Sequence, residues 1–307
     1  MVGLLFPGQG AQYVGMGRDL AERFDTARAV FERADAALGV SLSRVMWEGP
    51  EDELTATHNA QPAILTHSLA VHALVGDRLG EPHLAAGHSL GEFSAHVAGQ
   101  TLSFEDAVRA VRRRGELMFR AGRERPGAMA AVLGLDDDTL EALCRDASTD
   151  GEQCVPANFN APGQVVISGD EAAVSRAIER AKAAGAKRAL VLNVSGAFHS
   201  PLMAVAEAGL RDHLEEVAFS PPVFPVVSNV TAEPVTESGE ARRLLVRQLT
   251  SPVRWTASMR TMVSHGMDRL YELGPGTVLA GLMKRIDRGA AVVSLGTADQ
   301  VTAYLEG

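Results

Sequence analysis

The stretch "HLAAGHSLGEFSAHVAG", residues 83–99, carries three structural signals in a row. "HLAAGH" has the length and composition of a buried strand. Gly87 and Gly91 then flank Ser89, and "LGEFSAHVAG" reads as a helix ending at Gly99. Strand, Gly-x-Ser-x-Gly turn and helix follow in the order of a nucleophile elbow. Such a turn lifts a serine hydroxyl out of the sheet and points the first N–H groups of the helix at a developing oxyanion. The same residues can form an ordinary small-residue turn, and spacing alone leaves both readings open. As a nucleophile, Ser89 requires a base from elsewhere in the chain.

On either side the pattern alternates strand and helix. "GLLF" (3–6) reads as a buried strand ending in the turn "PGQG", and a helix is expected from about Arg18 to Leu38. "NAQPAILTHSLAVHALVGDRLG" has helical spacing, with Pro62 expected in a first turn. "SFEDAVRAVRRRGELMFRAG" opens with Ser103 as N-cap and Asp106 at N3, an approximate capping box. The order then changes: "AMAAVLGL" strand, a helix capped by Asp136, "CVPANFN" and "GQVVISG" strands, a helix capped by Asp170 and closed by Gly185, and "KRALVLNV" strand. That β-α-β-β-α-β order is ferredoxin-like. The αβ rhythm resumes with Ser200 and Pro201 opening a helix, then "FPVVSNV", "DRLYELG" and "AAVVSLG" as strands separated by helices. The expected fold is α/β, with two parts. Residues 1–125 and 195–307 form a large α/β-hydrolase-like domain with a parallel sheet, and 126–194 a small inserted ferredoxin-like subdomain.

Composition limits the function classes. The chain has 307 residues, 46% hydrophobic and 22% charged, enough to build a core without disulfides. Cys144 and Cys154 are too few for a disulfide framework or a metal site, and a reducing cytoplasm is the expected setting. "MVGLLFPGQG" lacks the basic start of a signal peptide, and no run approaches the roughly 20 apolar residues of a membrane span. A net charge of −9 argues against nucleic-acid binding. It does not exclude a local basic patch. "RRRGELMFRAGRER" carries Arg112, Arg113, Arg114, Arg120, Arg123 and Arg125, which read either as a solvated helix face or as a docking surface for an acidic partner.

Nine histidines are candidates for the base. Most sit in helical or loop contexts with no local signal, and His88 should point away from the side of Ser89. His199 differs. It lies in "NVSGAFHSPLM", after a strand and before a capped helix, which in a parallel α/β domain is the carboxyl end where sites form. No acid has a convincing place as a third member, since Asp136 to Asp138 and Asp170 are helix-capping residues. A Ser–His dyad oriented by a backbone or amide oxygen is the better reading.

Taken together, "FPGQGAQ" (6–12), "GHSLGE" (87–92), "RRRGELM" (112–118) and "GAFHS" (196–200) resemble the malonyl-CoA:acyl-carrier-protein transacylases and the related acyltransferase domains of polyketide and fatty-acid synthases. "NFNAPGQVVISG" (158–169), "VRQLTSPVRW" (246–255) and "ELGPG" (272–276) are also similar, so the likeness spans essentially the whole chain. The resemblance implies that Ser89 attacks a thioester, that His199 is base then acid, and that Gln248 orients His199 by an amide or main-chain oxygen. It implies an oxyanion hole from the N–H groups of Gln9 and Leu90, and Asn160 with Asn158 near the cleft. Arg114, 25 residues after Ser89, would hold a free acyl carboxylate by charge-assisted hydrogen bonds, favouring malonyl over acetyl. Phe198 beside His199 would crowd a substituent on the acyl α-carbon.

The implied reaction is ping-pong malonyl transfer from coenzyme A to the phosphopantetheine thiol of an acidic acyl carrier protein. A trans-acting polyketide acyltransferase using a substituted malonyl unit, and a proofreading thioester hydrolase, are the alternatives. Arg114 argues against the hydrolase. No metal or redox cofactor is implied, coenzyme A enters as substrate, and a monomer is expected. Arg112, Arg113, Arg120, Lys182, Lys187, Lys284 and Arg285 are the candidates for carrier-protein docking.

Overall fold

The computed structural model describes residues 1–307. Two sheets organise it. The larger has strand order β10-β9-β1-β2-β7-β8, formed by β1 (Val2–Phe6), β2 (Pro82–Gly87), β7 (Val226–Val227), β8 (Pro234–Val235), β9 (Arg269–Leu273) and β10 (Val292–Leu295). Its strands run parallel except β8, which pairs antiparallel with β7 at the edge. All five residues of β1 are buried, as a central parallel strand covered on both faces requires. Successive side chains point to opposite faces. Leu4 and Phe6 accordingly join a large apolar core on one face, while Leu5 joins a second core with Leu84, Val227, Trp255 and Met259 on the other.

The second sheet has order β4-β5-β3-β6, from β3 (Ala128–Leu133), β4 (Cys154–Ala161), β5 (Gln164–Gly169) and β6 (Arg188–Val191), all antiparallel. With the helices Asp137–Ala147 and Glu171–Ala183 it makes the expected β-α-β-β-α-β unit. It has its own apolar core, including Val132, Leu140, Ile167, Val174 and Ile178. β4 also reaches the large sheet's domain, where the Phe159 N–H donates to the Val253 carbonyl at 2.9 Å and the Val253 N–H to the Ala157 carbonyl at 2.8 Å.

Several local expectations change. The helix expected over Arg18–Leu38 is two, Arg18–Arg23 and Asp25–Leu38, because Phe24 is extended. Pro62 lies inside the helix Thr57–Val75, in its second turn, since that helix begins two residues before the stretch read from the sequence. Ser103 accepts from the Asp106 N–H at 3.1 Å, and its hydroxyl donates to the Asp106 carboxylate, so the reciprocal bond of a capping box is replaced by a side-chain pair. Asp136 caps as expected, accepting from the Thr139 N–H at 2.8 Å. Asp170 stands at its helix start without a side-chain cap, because its carboxylate is taken by Arg125 and by the Gln153 N–H. Gly185, at φ +90°, follows the C-cap Ala184.

Candidate active site

The elbow is set by three close backbone approaches. A Cβ on Gly87 would stand 1.9 Å from the Gly91 carbonyl carbon, and one on Gly91 would stand 2.2 Å from the Phe6 carbonyl oxygen. One on Gly8 would stand 2.3 Å from the His88 carbonyl oxygen. Real Cβ atoms do not tolerate such distances, so glycine is required at each place where the β1 exit and the turn after β2 pack backbone to backbone. Ser89 itself has φ +51°, the left-handed conformation that non-glycine residues avoid. Asn229 braces it: its Oδ1 accepts from the Ser89 N–H at 2.7 Å, and its Nδ2 donates to the Gly87 carbonyl at 2.7 Å.

His199 lies across from this turn, with Nε2 2.8 Å from Ser89 Oγ. Its Nδ1 meets the main-chain carbonyl of Gln248 at 2.9 Å. A carbonyl only accepts, so Nδ1 carries the proton and Nε2 is left with the lone pair that faces the serine hydroxyl. Burial, reinforced by the Arg114 guanidinium, lowers the His199 pKa to about 3, which keeps the imidazole neutral. His199 does not follow a parallel strand as the sequence reading had it. β6, which precedes it, belongs to the antiparallel small sheet, and His199 is delivered by the segment returning from that subdomain, at φ +56°.

Arg114 projects from the middle of the helix Phe104–Glu124 and is 1% exposed. It donates to Gln61 Oε1 at 2.7 Å, to Gln248 Oε1 at 2.8 Å and to Ser89 Oγ at 3.2 Å. All three are neutral oxygens. Burial lowers its pKa only to about 10, so the group is a fixed cation beside the Ser89 hydroxyl. Of the other arginines of the run, Arg113 and Arg120 lie on a solvated face beside Glu116 and Glu124, Arg112 is half-buried between Glu116, Asn59 and the His58 carbonyl, and Arg125 pairs with Asp170.

Ser89 and His199 open onto a cleft of about 350 Å³ between the two sheets' domains. Gln9, His88, Asn160, Asn158 and Phe198 line it, with Met118 and Met129. His88 does not simply turn away from the serine side. Its Nε2 meets Asn160 Oδ1 at 2.8 Å, its ring packs on Trp255, and it forms cleft wall. The N–H groups of Gln9 and Leu90 donate to no atom of the chain. No group of three or more His, Cys, Asp or Glu side chains is placed to hold a metal ion. No helix is long and apolar enough to cross a membrane.

Sequence reasoning singled out Ser89, His199, Gln248, Arg114, Gln9, Leu90, Phe198 and Asn160, and the structure brings these together. It missed Gln61, Glu92 and Asn229. The available signals were Gln61, a polar residue within an apolar helix, and Glu92, which closes the quoted "GHSLGE".

A strand-to-helix serine, a histidine oriented by a carbonyl and a buried arginine meet in one cleft, the arrangement of an acyltransferase. Comparison with known proteins agrees. The family described as "Acyl transferase domain" matches residues 4–297. The malonyl CoA-acyl carrier protein transacylase of Bacillus subtilis is 43% identical over 99% of this chain and 96% of its own length. Its namesake in Staphylococcus aureus is 42% identical over 99% and 98%. Among solved structures, an acyl carrier protein S-malonyltransferase from Vibrio cholerae superposes with a TM-score of 0.94 at 42% identity, covering 98% of this chain and 99% of that one. A malonyl-transacylase in complex with a type II polyketide acyl-carrier protein does so with 0.95 at 42% identity, covering 99% of each. The chain belongs to the acyl transferase family, among the malonyl CoA-acyl carrier protein transacylases, and is an acyltransferase.

Proposed function

We propose that this enzyme moves a malonyl group from coenzyme A to the phosphopantetheine thiol of an acyl carrier protein through an acyl-Ser89 intermediate. The observation that carries the substrate reading is Arg114, a buried cation 3.2 Å from Ser89 Oγ whose acceptors are all neutral. Glu92 acts on this cation only through space, and a malonyl carboxylate supplies a directly hydrogen-bonded opposite charge. In the first half-reaction Ser89 Oγ attacks the thioester carbonyl as its proton passes to His199 Nε2. The unsatisfied N–H groups of Gln9 and Leu90 receive the oxyanion. Collapse breaks the C–S bond, and the thiolate takes the proton from His199 to leave as coenzyme A. In the second half, the carrier thiol gives its proton to His199, attacks the serine ester, and Ser89 recovers its proton. Gln248 holds the imidazole through its carbonyl, so no acidic third member is needed. Phe198, Met118 and Met129 crowd the cleft and favour an unsubstituted malonyl α-carbon. In this reading the two parts divide near residues 125 and 195, and the cleft lies between them.

The test uses intact mass after incubation with malonyl-CoA. A mass increase of one malonyl group is expected on the wild type and none on Ser89→Ala; a labelled Ser89→Ala would remove the nucleophile assignment. Arg114→Ala is expected to lose malonyl uptake while keeping more of its acetyl uptake. Equal losses would refute the clamp.

Carrier-protein docking is supported best around Lys187, Arg188 and Arg285, which line one groove with Pro162 and Gly163. Arg285 donates to Gln164 at 2.8 Å, and Gln164 borders a recess shared with Gln9, His88 and Asn160. Of the other candidates, Arg112, Arg113, Arg120 and Lys182 are engaged with glutamates of their own helices. Replacing Lys187 and Arg285 by Glu is expected to slow the carrier-protein half-reaction about ten-fold or more at low salt and to leave uptake from malonyl-CoA unaffected. Stopped-flow measurement of the separate half-reactions checks it.

A further inference from the structure

We infer that Glu92, on the first turn beyond the nucleophile, is a positioning residue that fixes the side-chain amide of Gln248 and, through it, the guanidinium of Arg114. This rests on the malonyl reading of Arg114 given above. Glu92 is 1% exposed, and one of its oxygens, Oε2, accepts from Gln248 Nε2 at 2.6 Å and from the Asn229 N–H at 3.0 Å. At the other end of the same amide, Gln248 Oε1 accepts from Arg114 Nη2 at 2.8 Å.

An amide has one donating and one accepting end. A carboxylate oxygen on one side and a guanidinium on the other permit only one orientation of Gln248, and the Ser89 carbonyl, accepting from Nε2 at 3.0 Å, reinforces it. With the amide reversed, its NH2 group would face the N–H groups of Arg114, two donors with nothing to share. The cation would be displaced from the serine. Asn229, held by the same Glu92 oxygen, is the residue that braces both ends of the elbow.

Stability does not account for a glutamate here. Its second oxygen, Oε1, is buried without a partner, and burying a carboxylate is unfavourable. The Glu92 side chain hydrogen-bonds neither to His199 nor to any residue lining the cleft, so it acts through Gln248 rather than on the substrate. The accepting oxygen, not the charge, is what the geometry requires, and a glutamine side chain offers the same oxygen.

The experiment compares kcat and KM for acylation by malonyl-CoA and by acetyl-CoA in the wild type, Glu92→Ala, Glu92→Gln, Gln248→Leu and the Glu92→Ala/Gln248→Leu double variant. Glu92→Ala is expected to lower the malonyl-to-acetyl ratio of kcat/KM by about ten-fold or more, chiefly through a raised KM for malonyl-CoA. Glu92→Gln recovers most of that ratio. The double variant is no worse than Gln248→Leu, because both changes break one chain of contacts. An unchanged ratio in Glu92→Ala, equal losses for Glu92→Ala and Glu92→Gln, or additive effects in the double variant would overturn the inference. Where Glu92→Ala does not fold, Gln248→Leu, which keeps the carbonyl that holds His199, must show the lowered ratio; an unchanged ratio overturns the inference as well. A wild type that takes up no malonyl group overturns the malonyl reading itself and is recognised before any variant is compared.

Discussion

At the scale of single residues, the site combines strain with exact spacing of backbone. Ser89 and His199 both hold positive φ, and each is kept there by contacts from remote parts of the chain. The elbow glycines are the most sensitive positions. Gly91→Ala would force a Cβ against the Phe6 carbonyl, and since backbone is on both sides the turn must open. Loss of acyl-enzyme formation by about 100-fold or more is expected, with a lowered unfolding midpoint; normal labelling of that variant would show that the turn can relax. The neutral state of His199 has a kinetic consequence. A base needs its deprotonated form, and a pKa near 3 leaves it deprotonated at every pH above that. The kcat/KM for acylation is therefore expected to hold as pH falls from 8 to 5, and a half-loss near 6.5 would reveal an ordinary histidine. Ser89, His199 and Arg114 were legible because each sits in a short run of motif residues. Gln61 and Asn229 were not, because their meaning comes from partners 53 and 140 positions away in the chain.

At the scale of elements, legibility followed local signals. The helix Phe104–Glu124 announces itself by its cap and its apolar face, and the structure agrees to the residue at its start. Ser103→Ala removes the bond to the Asp106 N–H and is expected to cost about 1 kcal/mol of stability in urea unfolding. Arg114 lies several turns away from that end, so malonyl uptake should not change with it. Short elements had no such signal. The helices Leu42–Glu48 and Glu51–Thr55 and the two-residue edge strand β8 exist because they pack against longer neighbours, not because of their own sequence, whereas β7 is the short core of the strand expected in "FPVVSNV". Asp170 illustrates the opposite failure: its position was read correctly, but Arg125 competes for the carboxylate that the helix start would have used.

At the scale of the whole molecule, buried histidines tie folding to pH. His67, His96 and His199 are lowered to about 4, 3 and 3, each chiefly by burial. A histidine depressed in the folded state contributes stability that is present above the unfolded pKa of about 6.5 and lost as pH falls. Glu92, raised to about 7 by burial, has the reverse effect between its unfolded value of 4.5 and 7. His72 and His88 are also held down by burial while Glu272 is raised, so the lowered histidines outnumber the raised acids and a net loss of stability is expected on acidification from pH 6.5 to 4.5. Urea midpoints at pH 7 and pH 5 measure it; equal midpoints would mean that these histidines titrate normally in the fold.

The small subdomain leaves the helix that carries Arg114 and comes back just before His199, and at that junction Gly122 and Gly196 pack backbone to backbone, a Cβ on Gly122 reaching within 2.2 Å of the Ser195 carbonyl oxygen. An excursion whose two ends touch imposes almost no loop-closure penalty on the fold that hosts it. The subdomain is thus topologically exchangeable: a different cassette with adjoining termini could be spliced between the same two points without stretching the host. Such a graft would change the roof over the cleft, and with it the acyl chains admitted, while the serine, the arginine and the main-chain carbonyl that holds the histidine stayed on the host.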